Sequence, residues 1–311
     1  MSPGPTEIAV GYDRMWFCKS GSRSRTELPG SPEHRSVRPF LKWTGGKQWL
    51  APFVSNWLDK DFSGRYYEPF LGGGSSFLAV GPRSATLSDE NEELIATYSA
   101  VRDDVELVIE TLKSYPHSKD FYVDLRRKKP RKPHTQAARL IYLNKTAFNG
   151  IYRVNRAGQF NVPFGDYRNP TICNEERLRA ASKRLANTNL RVGDFGEALQ
   201  DTESGDFAYL DPPYITGHQN NGFLKYNASL FSWEDQIRLA KLASDLAEQG
   251  VTVVVSNSDH PAVLDLYPSF FYYRLFRPSR IGGSAASRGT VAEAVLASTE
   301  LAGIKTGRVN G

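Results

Sequence analysis

Cysteine is nearly missing from this 311-residue chain: Cys18 and Cys173 are the only two. Two cysteines build neither a disulfide framework nor a Cys-rich zinc site, so the expectation is a reducing, cytoplasmic setting and no metal. No apolar run approaches the ~20 residues that a membrane-spanning helix needs. The opening stretch, MSPGPTEIAVGYDRMWFCKSGSRSRTELPG, has no signal-peptide apolar core. The G-x-x-x-x-G-K-[ST] spacing of a nucleoside-triphosphate loop is absent as well, which weighs against a nucleotide-dependent enzyme. What remains is an ordinary globular composition, 40% hydrophobic and 23% charged, long enough for one large domain or two.

The charge is unevenly spread. The formal net charge is +5, yet residues 119–168 hold twelve Lys or Arg against three Asp, a net +9, so the other 261 residues sum to −4. A basic segment in a slightly acidic chain is the footprint of a polyanion partner. A solvated charged face is the plainer alternative, but the aromatic and amide residues interleaved with the charge weigh against it. Pro130 and Pro133 interrupt the run Arg126 to Pro133 and make it a charged loop rather than a basic helix. Beyond it, Asn149-Gly150 and Ala157-Gly158 read as hairpin turns. Arg153, Asn155, Arg156, Gln159 and Asn161 lie between or just after them. Arg pairs with guanine edges and Asn or Gln with adenine edges in a major groove, so this hairpin could read bases or be an ordinary polar hairpin.

Three further stretches carry chemistry. Tyr209-Leu-Asp-Pro-Pro-Tyr214 ends a buried strand in a stiff elbow, because two prolines fix φ and cannot donate to a β-ladder. A carboxylate, a fixed carbonyl and a ring there suit a flat ligand bearing an NH2 group; a turn with a capping Asp is the alternative. Glu68-Pro-Phe-Leu-Gly-Gly-Gly-Ser75 reads as strand, glycine turn, helix: the nucleoside crevice of a doubly wound sheet. Asp89 or Glu90, about 20 residues further on, stands where a ribose partner belongs, or caps a helix. Trp43-Thr-Gly-Gly-Lys47 offers N–H groups and an amine to an anion, with a helix expected from Lys47 through Trp57; Trp43 would stack on a heterocycle or fill core. Ser232 to Asp235 is a capping box for a helix to Glu248. Strands alternating with helices predict an α/β fold with a mainly parallel sheet. Residues 1–38 read as a disordered basic tail, 217–230 as a mobile Asn/Gly-rich loop and 301–311 as a second tail.

Together the motifs resemble the D12-class, Dam-like N6-adenine DNA methyltransferases of the α group, over about residues 37–298. The matching pieces are F-L-K-W-T-G-G-K at 40–47, E-P-F-L-G-G-G-S at 68–75, L-N-K-T-A-F-N-G at 143–150, F-N-V-P-F-G-D-Y at 160–167 and Y-L-D-P-P-Y at 209–214. The resemblance implies an S-adenosylmethionine-dependent methyltransferase fold: a mainly parallel twisted sheet flanked by helices, formed by 39–100 and 191–300. It also implies an inserted, mostly helical DNA-recognition domain with a β-hairpin at 101–190. It implies S-adenosylmethionine bound by Trp43, Lys47, Glu68, Phe70, Gly72, Gly74, Asp89 and Asp211. It assigns catalysis to Asp211, Pro212, Pro213 and Tyr214, and DNA contacts to Lys42, Asn149, Arg153, Asn155, Pro163 and Tyr167. The partner is double-stranded DNA at a GATC-like site, with a cognate restriction endonuclease left open. Neither cysteine stands in the Pro-Cys context that cytosine C5 methylation needs, and Asp rather than Ser at 211 favours adenine over N4-cytosine. An N4-cytosine or RNA methyltransferase, and a non-catalytic DNA-binding homologue, are the alternatives.

Overall fold

Short apolar or β-branched runs set the strands, and side-chain caps set the helix starts. The computed structural model describes residues 6–10, 15–19, 22–25, 37–58, 61–155, 157–214, 231–278 and 290–301. The chain opens with three short strands, β1 (Thr6–Val10), β2 (Met15–Lys19) and β3 (Ser22–Arg25). Residues 35–200 pack as one compact unit, and 1–34 with 201–311 as another.

In the 35–200 unit, α1 (Ala51–Trp57) begins four residues later than expected, after a turn at 48–50. Then follow β4 (Tyr66–Glu68), α2 (Ser75–Val80), β5 (Ala85–Asp89), α3 (Glu92–Asp103), α4 (Val105–Lys113), α5 (Lys119–Arg127) and α6 (Pro133–Thr146). The unit ends with α7 (Glu175–Leu185), β6 (Thr188–Val192) and α8 (Phe195–Leu199). Strands β4, β5 and β6 are parallel, in that order. Asn91 caps α3 through its side chain, which accepts from Leu94 N–H at 3.1 Å, with Glu92 and Glu93 in the first turn. Pro133 stands in the first turn of α6, where its missing N–H costs nothing, and the helix then buries Ala137 to Asn144 without a break. A helix buried all round is the centre of its unit. Helix α3 packs on α6 and α7 and buries Leu94, Ile95, Tyr98 and Val101.

In the other unit, β7 (Phe207–Leu210) precedes α9 (Trp233–Glu248), β8 (Thr252–Ser258), α10 (Pro261–Leu264), β9 (Phe271–Pro278) and β10 (Thr290–Ala297). Its strand order is β7-β8-β10-β9-β1-β2-β3. The pair β7–β8 is parallel, while β10 lies antiparallel between β8 and β9. Every residue of β7 is buried, which is why it reads as a continuous apolar run. Strand β1 pairs with β9 in parallel, so residues 1–38 contain strand structure where the composition led to the expectation of a tail. The Asn/Gly-rich loop 217–230 and the tail beyond Leu301 lie outside the described residues.

The capping box at Ser232 is present as expected: Ser232 Oγ accepts from Asp235 N–H at 3.1 Å, and Asp235 Oδ2 accepts from Ser232 N–H at 2.9 Å. Replacing Ser232 by Ala should cost about 1 kcal/mol of stability. A urea titration checks this: the midpoint should fall with the m-value unchanged.

Candidate active site and nucleic-acid interface

In the 35–200 unit the glycine turn is built tightly. Gly74 N–H donates to Leu71 O at 2.8 Å, and Leu71 N–H to Ser88 O at 2.9 Å, tying the turn to β5. Gly72 and Gly74 have φ of 47° and 63°, the left-handed region that glycine tolerates best. A methyl group at Gly72 would lie 2.9 Å from Trp43 Cδ1, and one at Gly73 equally close to Trp43 Cβ, so the indole is wedged against bare backbone. On its face Trp43 stacks with Tyr152, centroids 5.2 Å apart at 23°.

Asp89 stands at the end of β5, with Oδ2 accepting from Gly72 N–H at 2.9 Å and Oδ1 from Asn91 N–H at 3.0 Å. Burial raises its carboxyl above the ordinary range, and those two N–H groups partly offset the rise. The residue singled out as a ribose partner therefore also braces the glycine turn, with one backbone bond to each oxygen. Tyr98, which the sequence did not single out, donates its hydroxyl to Gly72 O at 3.2 Å. Burial, together with the charges of Glu68 and Asp89, holds the Tyr98 phenol well above its ordinary pKa. Lys47 and Glu68 are buried, with Glu68 accepting from Tyr66 OH at 2.8 Å. Phe70 packs on Phe195, centroids 5.5 Å apart.

The DNA-contact candidates lie in the same unit. The fully buried Asn144 accepts from Lys42 N–H at 2.7 Å and donates to Lys42 O at 2.6 Å and Gly150 O at 3.2 Å. That places exposed Lys42, its ammonium 4.7 Å from the centre of the Tyr167 ring, beside the turn at Asn149-Gly150. Asn149 has φ of 55° and Gly150 of 62°, the positive values expected of a turn, but they lie in a single 3-10 turn (Phe148–Gly150) directly after α6 and do not join two paired strands. The second turn is closed by Asn155, whose N–H donates to Gln159 O at 2.9 Å and whose Oδ1 accepts from the N–H groups of Ala157 and Gln159. Arg153 is exposed and donates to Asn161 Oδ1 at 2.8 Å, while Pro163 is exposed and its carbonyl accepts from Phe148 N–H. Arg156 lies outside the described residues.

The basic loop is shorter than expected, 128–132, because Arg126 and Arg127 lie in the last turn of α5 and Pro133 opens α6. Arg126 donates to Val162 O at 3.0 Å and so anchors the hairpin, whereas Arg127, Lys128, Lys129, Arg131 and Lys132 are exposed. Arg139 is buried; it donates to Leu125 O and Arg126 O and pairs with Glu93 at 2.5 Å. Glu93 in turn accepts from Tyr152 OH at 3.0 Å. Beside Lys42 and Tyr167 a cavity of about 460 Å³ is lined by four cations, Lys42, Lys145, Arg168 and Arg177, and by no carboxylate among the described residues. Burial first, then Arg177 and Lys42, push the Lys145 ammonium down to about 8.

The other unit carries the elbow. Asp211 follows β7 directly, and its Oδ1 accepts from Ser256 Oγ at 2.7 Å. Tyr209 OH lies 3.0 Å from the same Oγ. Pro212 is buried and Pro213 exposed; the Pro213 carbonyl accepts from Gln236 Nε2 at 3.5 Å. Tyr214 OH donates to Glu293 Oε2 at 3.1 Å. Burial, then the charges of Asp211 and Glu293, hold the Tyr214 phenol well above its ordinary pKa, so it stays a donor. Ser256 and Glu293 escaped the sequence reading because only strand register brings them to the elbow.

Comparison with known proteins agrees. Residues 43–278 match the family model of the D12 class N6 adenine-specific DNA methyltransferases. The Type II methyltransferase M1.LlaDCHI of Lactococcus lactis subsp. cremoris is 37% identical over 271 residues, covering 84% of this chain and 95% of that protein. The Type II methyltransferase M.MjaIII of Methanocaldococcus jannaschii is 36% identical over 244 residues, 71% of this chain and 84% of that protein. The DNA adenine methylase of Escherichia coli K12 is 32% identical over 228 residues, with 71% and 81% covered. The α/β architecture is thus that of a methyltransferase. The chain belongs to the D12 class of N6 adenine-specific DNA methyltransferases, a family that implies a DNA substrate and S-adenosylmethionine as methyl donor.

The depressed Lys145 sets a pH-dependent expectation. Its cost to the folded state is absent above the ordinary lysine value of 10.5, builds as pH falls from there, and is complete below about 8. Lys145→Met should therefore raise the urea midpoint at about pH 7, with the gain shrinking as pH approaches about 10. A gain that does not vary with pH would contradict the assigned cause.

Proposed function

We propose that the chain transfers a methyl group to N6 of an adenine turned out of duplex DNA, with Asp211, Pro212, Pro213 and Tyr214 holding the base. The observation that carries this reading is the fixed elbow: a carboxylate held by Ser256 and a tyrosine ring tethered at its hydroxyl, both just past the carboxyl end of β7. The target amino group is stacked inside the duplex and must leave it to be reached. Asp211 and the Pro212 carbonyl accept the two N6 hydrogens, which raises electron density on the nitrogen, and Tyr214 stacks on the ring.

Bound S-adenosylmethionine supplies the activated methyl group. The residues present fit it: Gly72 and Gly74, both at positive φ, hold a tight backbone turn after β4, Trp43 brings an aromatic ring against that turn, and each Asp89 oxygen spends only one bond on backbone. Lys47, Glu68, Phe70 and Asp211 complete the proposed cofactor set. The protein's own contribution is position and electrostatics.

Lys42, Asn149, Arg153, Asn155, Pro163 and Tyr167 are proposed to meet DNA, within a recognition segment at 101–190 set between catalytic segments 39–100 and 191–300. The hairpin supports this, with its exposed Arg and Asn side chains. The F-N-V-P-F-G stretch at 160–165 and Arg153 favour a GATC-like site. Two of the relatives are named Type II methyltransferase, and on that basis a cognate restriction endonuclease is proposed as the functional partner.

Mass spectrometry of duplex DNA methylated by the protein should find N6-methyladenine, and Asp211→Ala should abolish it while donor binding, read by calorimetry, is weakened but not lost. Near-wild-type turnover in that variant would sink the assignment of Asp211. Neutralising Arg127, Lys128, Lys129, Arg131 and Lys132 should weaken DNA binding and flatten the plot of log affinity against log salt, by roughly 0.9 for each phosphate that is no longer neutralised. An unchanged slope would place those charges away from DNA.

A further inference from the structure

Glu293 is an unexpected residue for the centre of a strand. It is 2% exposed and is followed by Ala294, Val295, Leu296 and Ala297, all buried. An ionised carboxylate in such a place is held at a desolvation cost of several kcal/mol, which only well-made partners offset. It accepts a hydrogen bond from the hydroxyl of Tyr214, 79 residues away in sequence.

Strand register shows that this is part of a row. Tyr209 is paired with Val254 across the parallel β7–β8 ladder. Side chains alternate with a period of two, so Ser256 and Ser258 share the face of Tyr209, and Asp211, two residues on, returns to it. Glu293 is the register partner of Ser258 on β10 and joins the same face. Along that face the hydrogen bonds run Tyr209 to Ser256 to Asp211, and Tyr214 to Glu293. With the Ser256 proton given to Asp211, Tyr209 must be the donor to Ser256, so each bond in the row has one direction.

We propose that Glu293 and Ser256 are positioning residues for methyl transfer: Glu293 sets the plane of the Tyr214 ring against which the target base stacks, and Ser256 sets the direction in which the Asp211 carboxylate faces. This rests on the reading of Tyr214 and Asp211 given above. Neither residue touches the reacting atoms. A tyrosine ring past the end of a strand can turn about two side-chain torsions; tethering its hydroxyl to a carboxylate fixed in the next-but-one strand removes that freedom. The base then meets a ring already in place, so its amino group is presented to the methyl donor in one orientation. Small misplacements at this step are costly, because an error of about 1 Å can lower a rate by roughly 100-fold.

Single-turnover methyl transfer to a duplex with the natural adenine, and in a second duplex the fluorescence of 2-aminopurine in place of that base to follow base turning, test the proposal. Glu293→Ala and Tyr214→Phe each remove the same hydrogen bond and should each slow the step about 10- to 100-fold, with donor and DNA affinities within about twofold of wild type. The double variant should be no slower than the slower single one, because the two changes delete one interaction. Glu293→Gln keeps an acceptor oxygen and should recover most of the rate; Ser256→Ala should slow the step while leaving the 2-aminopurine signal intact. A wild-type rate in Tyr214→Phe, losses that multiply in the double variant, or a loss confined to donor affinity would overturn the proposal. Should Glu293→Ala fail to fold, Tyr214→Phe against Glu293→Gln decides. Tyr214→Ala separates the two levels: wild-type methylation there would remove the reading of Tyr214 itself, while an inactive Tyr214→Ala beside a fully active Tyr214→Phe would remove only the tether.

Discussion

The 35–200 unit depends on one buried amide. Asn144 is fully enclosed near the end of α6, and its side chain bonds both backbone groups of Lys42 and the carbonyl of Gly150. Three pieces of chain are fixed at that point: the stretch entering the glycine-lysine turn, the central helix and the turn at Asn149-Gly150. An amide in the core without partners would cost several kcal/mol; with all of its bonds made, it specifies one arrangement. Trp43 takes its place from that clamp, one residue past Lys42, and so does the hairpin that follows Gly150.

Carboxylates recur in the same double duty. Asp89 drew attention as a proposed nucleoside partner from its distance to the glycine turn. It also accepts the N–H of Gly72 and so shapes the turn it was expected to complement. Glu93, at the start of α3, draws Tyr152 and the buried Arg139 together. Each is placed by local rules, at a strand end or in a first helical turn, and then used over a long distance.

That division explains what could be read beforehand. The Ser232 capping box, the Asn149-Gly150 turn, the proline-broken basic loop and the Asp-Pro-Pro-Tyr elbow are all local chemistry, and all stand where the residues put them. Pairings made by register were invisible: Ser256 and Glu293 reach the elbow only because β8 and β10 pair in one alignment. Arg126 looked like its charged neighbours, and only the packing of α5 against the hairpin gives it the carbonyl of Val162. Residues 1–38 lacked a sustained period over their whole length, yet a run as short as Thr6–Val10 suffices for a strand paired on both sides, with β2 and β9.

The cavity beside Lys42 has a meaning of its own. Lys145 is held among Lys42 and Arg177, in surroundings that resist its charge. Like charges are kept close there, so the folded chain carries an electrostatic cost at that place, one that salt screens and that any negative charge brought beside them would lower by Coulomb's law alone.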